Sequence, residues 1–566
     1  MNEEKIGVLE PMPGVVYPNP EELAQYVAAG ALTRETLAAA FCESLVKHAS
    51  RVAIRTPDLT LTYADLDERS NRAAAALIHA GLKPLDRVVF QIPNSPELLI
   101  AFIACLKAGL IPICTLEAHR ELEIGYLANH AKARAFLVPA NHPRFDFLSF
   151  AQGIQAKTPS LQHVITVGEG AAPERFGFKS MSALIDAEDP GAARDLVKKV
   201  VASLDPFQVA IFQLSGGTTS VPKIIPRFQN DYLYNMRIAG EFLGITASEI
   251  VLTPAPMLHN AQMGCFWGPA LLCGGMVAIA KGLTAAQIAQ ALVSLRPTFI
   301  LVPTPLFPVF SEALESAKDA FQSVRAVVSV SPSAARKLFP VPVLPTFGMT
   351  EGVEMFGKLE DPDEALDSTV GRPLSPLDQI KLVKPGTNEP VPFGEIGELL
   401  IKGPYTIHGY YDSPERNAEV FTSDGFYRSG DLMAVTELGG RHYYLFRGRI
   451  KDLIDRGGEK VNCEEVEHLV RKFPGVLEVA VVPFPDAKYG ERGGAILIMN
   501  EGAKVPTVQE LGAFLGGFGL AKFKWPEQID VVSEFPAGSS GKVNKAALRD
   551  SVLKAREAAG LKNDFR

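Results

Sequence analysis

The sequence lacks any apolar run long enough to cross a bilayer. Its most apolar stretch, Leu98 to Leu106, is followed by Lys107, Gly109 and Pro112, whereas a membrane-spanning helix needs about 20 consecutive apolar residues. We therefore predict that this stretch forms a buried helix. The N-terminus has no basic start followed by an apolar segment, so we expect no signal peptide, no membrane association and a cytoplasmic location.

Cysteine and positive charge are also scarce. The six cysteines are scattered among 566 residues, and no pair has the C-x-x-C spacing of a zinc or redox site. We expect reduced, mostly buried thiols. Lys and Arg number 56 against 64 Asp and Glu, which leaves a formal charge of −8 and argues against a nucleic-acid or anionic-membrane partner.

The rest of the composition is typical of a multidomain globular protein. Hydrophobic residues make up 47% and charged residues 21%, and at about 150 residues per domain the length predicts two to four domains. From Arg51 onwards, short β-branched runs alternate with helical stretches. This alternation predicts an α/β fold with a largely parallel, buried sheet.

The pattern changes after about Arg372. Strand-like segments joined by Gly- and Pro-containing turns come first, and beyond Asp452 the order becomes strand, helix, strand. We predict a boundary near Arg449 to Lys451. It gives an N-terminal domain over 1–449 and a small C-terminal α+β domain over 452–566, an acceptable size for a domain.

The most informative local pattern follows a predicted buried strand with the sequence VAIFQ. It reads Leu214-Ser215-Gly216-Gly217-Thr218-Thr219-Ser220-Val221-Pro222-Lys223. Glycines allow close backbone approach, hydroxyl groups supply hydrogen bonds and the lysine supplies positive charge, which together suit a polyphosphate. The alternative is a solvated loop. The pattern is not a Walker loop, because G-x-x-x-x-G-K-[ST] is absent.

Two further patterns place acidic residues beside glycine. In Thr346-Phe347-Gly348-Met349-Thr350-Glu351-Gly352, a hydroxyl and a carboxylate between glycines suit a phosphate oxygen and Mg²⁺, and a simple turn is the alternative. In Tyr427-Arg428-Ser429-Gly430-Asp431-Leu432, the aspartate suits the two hydroxyls of a ribose, and an Asx-turn is the alternative.

Two basic, glycine-containing patterns lie further along the chain. The first, Arg447-Gly448-Arg449-Ile450-Lys451-Asp452, falls at the predicted boundary, and a solvated linker is its alternative. The second, Gly538-Ser539-Ser540-Gly541-Lys542-Val543-Asn544-Lys545, resembles a mobile loop, and an exposed, solvated lysine is its alternative.

Together, the order and spacing of these patterns resemble the adenylate-forming superfamily of acyl-CoA synthetases, peptide-synthetase adenylation domains and firefly luciferases. The resemblance runs from about Leu59 to the end of the chain. Within that superfamily the sequence most resembles the stand-alone aryl-acid AMP ligases of siderophore synthesis, which activate 2,3-dihydroxybenzoate or salicylate. The segments that carry this narrower match are FQLSGGTTSVPKIIPR, PMLHNAQ, FGMTEG, GPYTIHGYY, DGFYRSGDL, GRIKDLIDRGGEKV and GKVNKAALR.

This resemblance implies a large α/β body of several subdomains with a small mobile α+β domain, and a two-step reaction. A carboxylate attacks the α-phosphate of Mg·ATP to give an acyl-adenylate and pyrophosphate, and a thiol then displaces AMP. It also implies site residues, in this order: Ser215, Gly216, Gly217, Thr218, Thr219 and Lys223 at the β- and γ-phosphates; Gly348 in the ATP site; Thr350 at the α-phosphate; Glu351 at Mg²⁺; Asp431 at the ribose with Arg449 nearby; Lys542 at the reacting carboxylate and bridging oxygen; and Lys451 as the hinge.

The resemblance also locates the acid site. A His-Asn pair, here His259-Asn260, lines it, and Asn260 is expected to bind a 2-hydroxyl on the ring. Cys265 follows five residues later, and because a thiol is a poor partner for a 3-hydroxyl we favour salicylate-like acids over 2,3-dihydroxybenzoate. A core histidine and a core thiol are the alternatives.

Two departures from the family pattern leave the size of the acid open. Ala261 stands where the family usually has an aromatic residue, and Val330-Ser331-Pro332-Ser333 replaces the usual Val-Gly-Gly-Ala. A bulkier or alicyclic acid is therefore an alternative substrate.

The thiol acceptor is expected to come from another molecule. The sequence contains no G-G-[HD]-S attachment site, and Leu515-Gly516-Gly517-Phe518-Gly519 lacks the serine. We expect the phosphopantetheine of a separate aryl carrier protein. An acyl-CoA ligase for an aromatic or alicyclic acid is the runner-up, and a nucleotide-binding protein without catalysis is the alternative from another class. Nothing in the sequence favours a luciferase-like oxygenase.

Overall fold

The computed structural model describes residues 6–558 except 169, 171–175, 216–221, 451–452, 457–458, 487 and 537–542. By their internal contacts the residues form two compact units. The first unit contains 1–379 and 401–427, and the second contains 380–400 and 428–566.

The described strands, in chain order, are β1 (Val52–Arg55), β2 (Thr60–Thr62), β3 (Arg87–Phe90), β4 (Ile111–Cys114), β5 (Ala135–Pro139), β6 (His163–Val167), β7 (Lys179–Ser180), β8 (Val209–Ser215), β9 (Lys223–Phe228), β10 (Ile250–Leu252), β11 (Met276–Ala278), β12 (Phe299–Leu301), β13 (Ala326–Ser329), β14 (Val343–Met349), β15 (Gly352–Phe356), β16 (Arg372–Pro373), β17 (Gln379–Val383), β18 (Gly397–Lys402), β19 (Tyr427–Leu438), β20 (Arg441–Arg449), β21 (Leu453–Arg456), β22 (Glu459–Asn462), β23 (Val476–Asp486), β24 (Gly490–Met499) and β25 (Gln528–Val531).

The described α-helices are α1 (Pro20–Ala28), α2 (Leu37–Lys47), α3 (Tyr63–His79), α4 (Pro96–Lys107), α5 (Glu121–His130), α6 (Phe147–Lys157), α7 (Met181–Asp186), α8 (Pro190–Ser203), α9 (Gln229–Leu243), α10 (Asn260–Gln262), α11 (Gly268–Cys273), α12 (Ala285–Leu295), α13 (Phe307–Ala317), α14 (Pro332–Leu338), α15 (Asp363–Ser368), α16 (Pro414–Val420), α17 (Cys463–Val470), α18 (Val508–Gly516) and α19 (Lys545–Ala558). A π-helical turn, Met263–Trp267, joins α10 to α11.

Two mainly parallel sheets form the first unit. One has the strand order β7-β6-β5-β3-β4-β8-β9, and the other has the order β16-β15-β14-β13-β12-β10-β11-β1-β2. Each sheet ends its parallel part in an antiparallel hairpin that carries one of the sequence motifs, β8–β9 in the first and β14–β15 in the second. The predicted α/β architecture is confirmed.

The apolar stretch that the sequence singled out is buried inside this unit. It forms α4, whose residues from Leu98 to Lys107 are all buried. Ser95 caps the helix by accepting a hydrogen bond from the Leu98 amide at 3.1 Å, with Pro96 at the first helical position. Among the described residues no helix is both long and apolar enough to span a membrane.

The second unit contains a four-stranded sheet and a mainly antiparallel five-stranded sheet in which β25 pairs with β24 in parallel. It begins earlier in the chain than the predicted domain boundary. One sheet has the order β17-β18-β19-β20, and the other has β22-β21-β24-β23 with β25 beside β24. Residues 428–449 group with this unit rather than with the first. A physical link is the Asn462 amide, which donates to the Arg447 carbonyl across β22 and β20. The hinge at Lys451 stays a prediction, because that residue lies outside the described part of the chain.

Candidate active site

The hairpin β8–β9 carries the phosphate-loop motif at its turn. Ser215 and Lys223 face each other as the last paired residues. Ser215 is buried, and its hydroxyl has no hydrogen-bond partner among the described residues. Gly216, Gly217, Thr218 and Thr219 lie outside those residues. The hairpin therefore presents a hydroxyl and an ammonium group at the base of the loop.

Lys223 lies beside the aromatic ring of Tyr410. Its Nζ is 5.1 Å from the ring centroid, close enough for a cation–π contact. Burial lowers the pKa of Lys223, and the nearby positive charge of Arg416 adds to this effect. A bound anion at this position would raise the pKa of Lys223 again, because its negative charge stabilises the ammonium group.

Glu351 lies at the turn of the β14–β15 hairpin, where its carboxylate is held by a pair of tyrosines. The side chain is buried, and its Oε1 accepts a hydrogen bond of 2.7 Å from the Tyr410 hydroxyl. That hydroxyl is in turn 2.9 Å from the hydroxyl of Tyr427. Oε2 accepts no hydrogen bond from the described residues, so its lone pairs suit a hard cation such as Mg²⁺.

The backbone of the same turn is fixed from three sides. The Thr350 carbonyl accepts from Arg227 Nη1 at 3.3 Å, and the Glu351 carbonyl accepts from the Ile407 amide at 2.8 Å. Gly352 has φ +133°, and a Cβ at this position would lie 2.6 Å from the Thr406 Cα. Only glycine fits there, which explains why the motif ends in this residue.

Asp431 and Arg449 form a pair in the second unit. They are opposite residues of β19 and β20, and Arg449 Nε lies 2.9 Å from Asp431 Oδ1. Asp431 is buried, and its amide donates to the Ser429 hydroxyl at 3.0 Å. The predicted neighbourhood of these two residues is thus present in the structure.

The predicted acid-site residues lie around α10 and the π-helical turn. His259 is exposed, and its Nδ1 accepts from the Ala261 amide at 3.3 Å as the N-cap of α10. Asn260 is buried, and its Oδ1 accepts from the Tyr232 hydroxyl at 2.8 Å. Cys265 is fully buried, and burial raises the pKa of its thiol.

Asn260 and Cys265 converge on a carboxylate that the sequence analysis missed. Glu354 Oε1 accepts from Asn260 Nδ2 at 3.1 Å, and Oε2 accepts from Cys265 Sγ at 2.9 Å. Asn235 Nδ2 also donates to Oε2, at 2.8 Å. Glu354 lies on β15, three residues after Glu351, so one strand links the acid site to the FGMTEG turn. The signal available in the sequence was a charged residue inside the otherwise apolar segment GVEMF.

Lys542, the predicted catalytic lysine, lies outside the described residues, as does Lys451. The other predicted residues fall into two groups. Ser215, Lys223, Gly348, Thr350, Glu351, His259, Asn260 and Cys265 belong to the first unit, whereas Asp431 and Arg449 belong to the second.

Comparison with known proteins agrees with this arrangement of motifs. Residues 41–411 match the AMP-binding enzyme family, and residues 465–542 match the AMP-binding enzyme C-terminal domain. The chain is 35% identical to the 2,3-dihydroxybenzoate-AMP ligase of Bacillus subtilis (strain 168), over 94% of this chain and 97% of that protein. It is 34% identical to a salicylyl-CoA synthase / salicylate adenylyltransferase of a Streptomyces species, over 94% and 97%.

A solved structure is similar over nearly the whole length. The apo structure of MbtA from Mycobacterium smegmatis matches with a TM-score of 0.69 and 30% sequence identity, over 94% of this chain and 98% of that one. The chain therefore belongs to the AMP-binding, adenylate-forming enzymes. It is an AMP-forming acid ligase that binds ATP and adenylates a carboxylic acid, which confirms the superfamily inferred from the motifs.

Proposed function

We propose that this enzyme activates an aryl, salicylate-like carboxylic acid as the acyl-adenylate and then transfers the acyl group to the phosphopantetheine thiol of a separate carrier protein. The similarity to an aryl-acid AMP ligase along 94% of the chain carries this proposal. The buried polar cluster at Asn260 supports it, because a ring bearing a hydroxyl needs a polar partner inside an apolar pocket.

In the first step, an oxygen of the substrate carboxylate attacks the α-phosphorus of ATP, and the bond to the bridging oxygen of pyrophosphate breaks. Attack of one anion on another requires positive charge at the phosphates. In this proposal Lys223 supplies it at the base of the phosphate loop, and Thr350, whose carbonyl accepts from Arg227, donates at the α-phosphate. Lys542 is the second cation in this proposal.

Glu351 and its tyrosine partner fit a Mg²⁺ site. The buried carboxylate keeps acceptor capacity beyond its hydrogen bond from Tyr410. When bound, Mg²⁺ neutralises phosphate charge. Asp431 is the ribose residue in this proposal, and Arg449 holds its carboxylate in place at 2.9 Å.

Asn260 is proposed to bind the 2-hydroxyl of the ring. Its Oδ1 accepts one hydrogen bond, from Tyr232, and an amide oxygen has two lone pairs. The second lone pair is the acceptor for the substrate hydroxyl. Cys265 donates its thiol proton to Glu354 and is therefore a poor hydrogen-bond partner for a 3-hydroxyl, which favours salicylate-like acids in this proposal.

In the second step, the carrier thiol attacks the acyl carbon and AMP leaves, while the thiol proton goes to solvent. CoA is the competing acceptor, because one relative of similar identity is named a salicylyl-CoA synthase. The two acceptors differ in whether a protein must be present for turnover.

The experiment is acid-dependent pyrophosphate release from Mg·ATP, with and without CoA. The panel contains salicylate, 2,3-dihydroxybenzoate, benzoate, anthranilate, cyclohexanecarboxylate and hydroxynaphthoate. If salicylate causes pyrophosphate release but CoA does not produce repeated turnover, the result supports a carrier protein as the acceptor. If repeated turnover occurs only with CoA, the enzyme is a CoA ligase. ATP binding without release for any acid contradicts the proposal.

The Lys542→Ala variant tests the catalytic lysine. It should lose pyrophosphate release while retaining ATP binding, because the interaction forms mainly in the transition state. Lys554→Ala, which removes an exposed lysine on α19, is the matched control and should retain both. Release at the control's rate in the Lys542 variant would remove this residue from the mechanism.

A further inference from the structure

Glu354 is a buried carboxylate whose described hydrogen-bond partners are all neutral. The amides of Asn260 and Asn235 and the thiol of Cys265 donate to it at 3.1, 2.8 and 2.9 Å. A carboxylate offers about four acceptor positions. Oε2 accepts two of these bonds and Oε1 accepts one, so Oε1 can accept another.

The directions of the hydrogen bonds around Glu354 suit a negative charge. Gln213 Nε2 donates to the Tyr232 hydroxyl at 3.2 Å, and that hydroxyl donates to Asn260 Oδ1 at 2.8 Å. Asn260 must therefore present its NH₂ group to Glu354. Each step of this chain points its donor towards the carboxylate, as an ionised acceptor requires.

The cation nearest in this core is committed to another acid. Arg227 is fully buried, its Nε lies 3.5 Å from Asp231 Oδ1, and its guanidinium lies 4.6 Å from the Tyr232 ring centroid. In the part of the chain that the structure describes, no Lys, Arg or His nitrogen lies within 4.0 Å of Glu354. Arg227 is not in salt-bridge contact with Glu354. Burial raises the pKa of Glu354, while the positive charge of Arg227 acts in the opposite direction through space, and a buried charge without a direct partner is costly.

A glycine lies next to the stem of this carboxylate. Gly348 faces Glu354 across the β14–β15 hairpin and is exposed. A Cβ on Gly348 would lie 3.2 Å from Glu354 Cγ, so a side chain there would cover the carboxylate stem. Glycine at this position leaves that flank clear for another group. Because Asn260 contacts the same carboxylate, this flank belongs to the proposed acid site.

We propose that Glu354 determines substrate specificity by binding a positively charged, hydrogen-bond-donating nitrogen on the carboxylic acid, so that the preferred substrates are acids bearing an amine or a basic nitrogen heterocycle. This inference rests on the proposed adenylation of an aryl acid at this site. A cationic nitrogen fills the unused acceptor position and adds a direct charge partner to the through-space effect of Arg227. A phenolic hydroxyl supplies only the hydrogen bond.

The test uses three matched acids that differ in one group: aminomethyl-, hydroxymethyl- and ethylbenzoate, each at the ortho, meta and para positions. The readout is kcat/KM for pyrophosphate release. A hydrogen bond to a charged group corresponds to about 10- to 100-fold in this ratio. Wild-type enzyme is expected to prefer the aminomethyl acid over the hydroxymethyl acid by at least about tenfold at one ring position.

The Glu354→Gln variant should bring the ratio of kcat/KM for the aminomethyl acid to that for the hydroxymethyl acid close to one. Glu249→Gln is the matched control. Glu249 is another buried glutamate of the first unit, but it does not belong to this cluster; its Oε1 lies 3.3 Å from Arg325 Nε. It should keep the wild-type preference. If thermal melting shows that the Glu354 variant is not folded, the kcat/KM ratios of the wild-type enzyme alone test the proposal.

The outcomes separate this inference from the proposed function. If the wild-type enzyme turns over the neutral acids and shows no preference for the aminomethyl acid, the role of Glu354 is contradicted, whereas aryl-acid adenylation is not. A wild-type preference that survives unchanged in the Glu354 variant also overturns it. Absence of pyrophosphate release with every acid, while ATP still binds, overturns the proposed function and this inference together.

Discussion

Replacing Asp378 with asparagine should remove a pH-dependent loss of stability from the first unit. Asp378 Oδ2 accepts hydrogen bonds from the Tyr405 hydroxyl at 2.9 Å and from the Ser375 amide at 3.3 Å. Tyr405 in turn accepts from the Glu354 amide at 3.3 Å, which connects Asp378 to the acid site. Burial raises the pKa of Asp378 from 3.8 to about 7, although both hydrogen bonds act in the opposite direction.

The sign follows from proton binding. Between pH 3.8 and about 7, the folded chain holds a proton on Asp378 that the unfolded chain has released. The free energy of unfolding therefore falls as the pH rises through this range and becomes level above it. At about 1.36 kcal/mol per pH unit, the two pKa values correspond to a loss of about 2.5 kcal/mol between pH 5 and pH 8.

Fluorescence can follow the first unit alone, because the chain has two tryptophans and each unit contains one. In a Trp525→Phe background, the remaining fluorophore is Trp267, which is fully buried and donates to the Met257 carbonyl at 2.8 Å. Urea titrations of this parent and of its Asp378→Asn variant at pH 5, 6, 7 and 8 give the free energy of unfolding at each pH.

The free energy of unfolding of the asparagine variant, relative to that of the parent, should increase by about 2.5 kcal/mol from pH 5 to pH 8. Asp195→Asn, an exposed aspartate on α8, is the matched control and should follow the parent at every pH. Parallel pH profiles for the Asp378 variant and the parent would refute the reasoning.

Three further predictions concern the nucleotide site. Tyr410→Phe removes a hydrogen bond to the Glu351 carboxylate and should lower pyrophosphate release about tenfold at limiting Mg²⁺; an unchanged Mg²⁺ dependence would contradict this. Gly352→Ala should lower both the melting temperature and activity, because its Cβ meets backbone, whereas Gly81→Ala, with φ +99° and open space, should lose little activity; equal activity in the two variants would refute the steric argument. Asp431→Asn should weaken ATP binding in calorimetry about tenfold, and wild-type affinity would remove it from the ribose site.

Local sequence patterns were sufficient for the fold class and for the position of the motifs. The β-branched runs are β-strands in the structure, and the fully apolar segment is α4 with its Ser95 cap. These features depend on residues within a few positions of one another, where turn geometry and side-chain periodicity act. The same holds for the FGMTEG turn, where Gly352 is required by its own backbone angle.

Contacts between distant segments were decided only by the tertiary structure. Glu354 lies 94 residues from Asn260 and 119 from Asn235 in the chain, so no local pattern indicates that they share hydrogen bonds. Likewise, only the internal contacts of the folded chain group residues 428–449 with the second unit. The sequence by itself identified the motifs and most of the candidate site residues, but not Glu354. The packing of remote strands and helices decided which of them meet, because burial and charge are properties of the whole folded core.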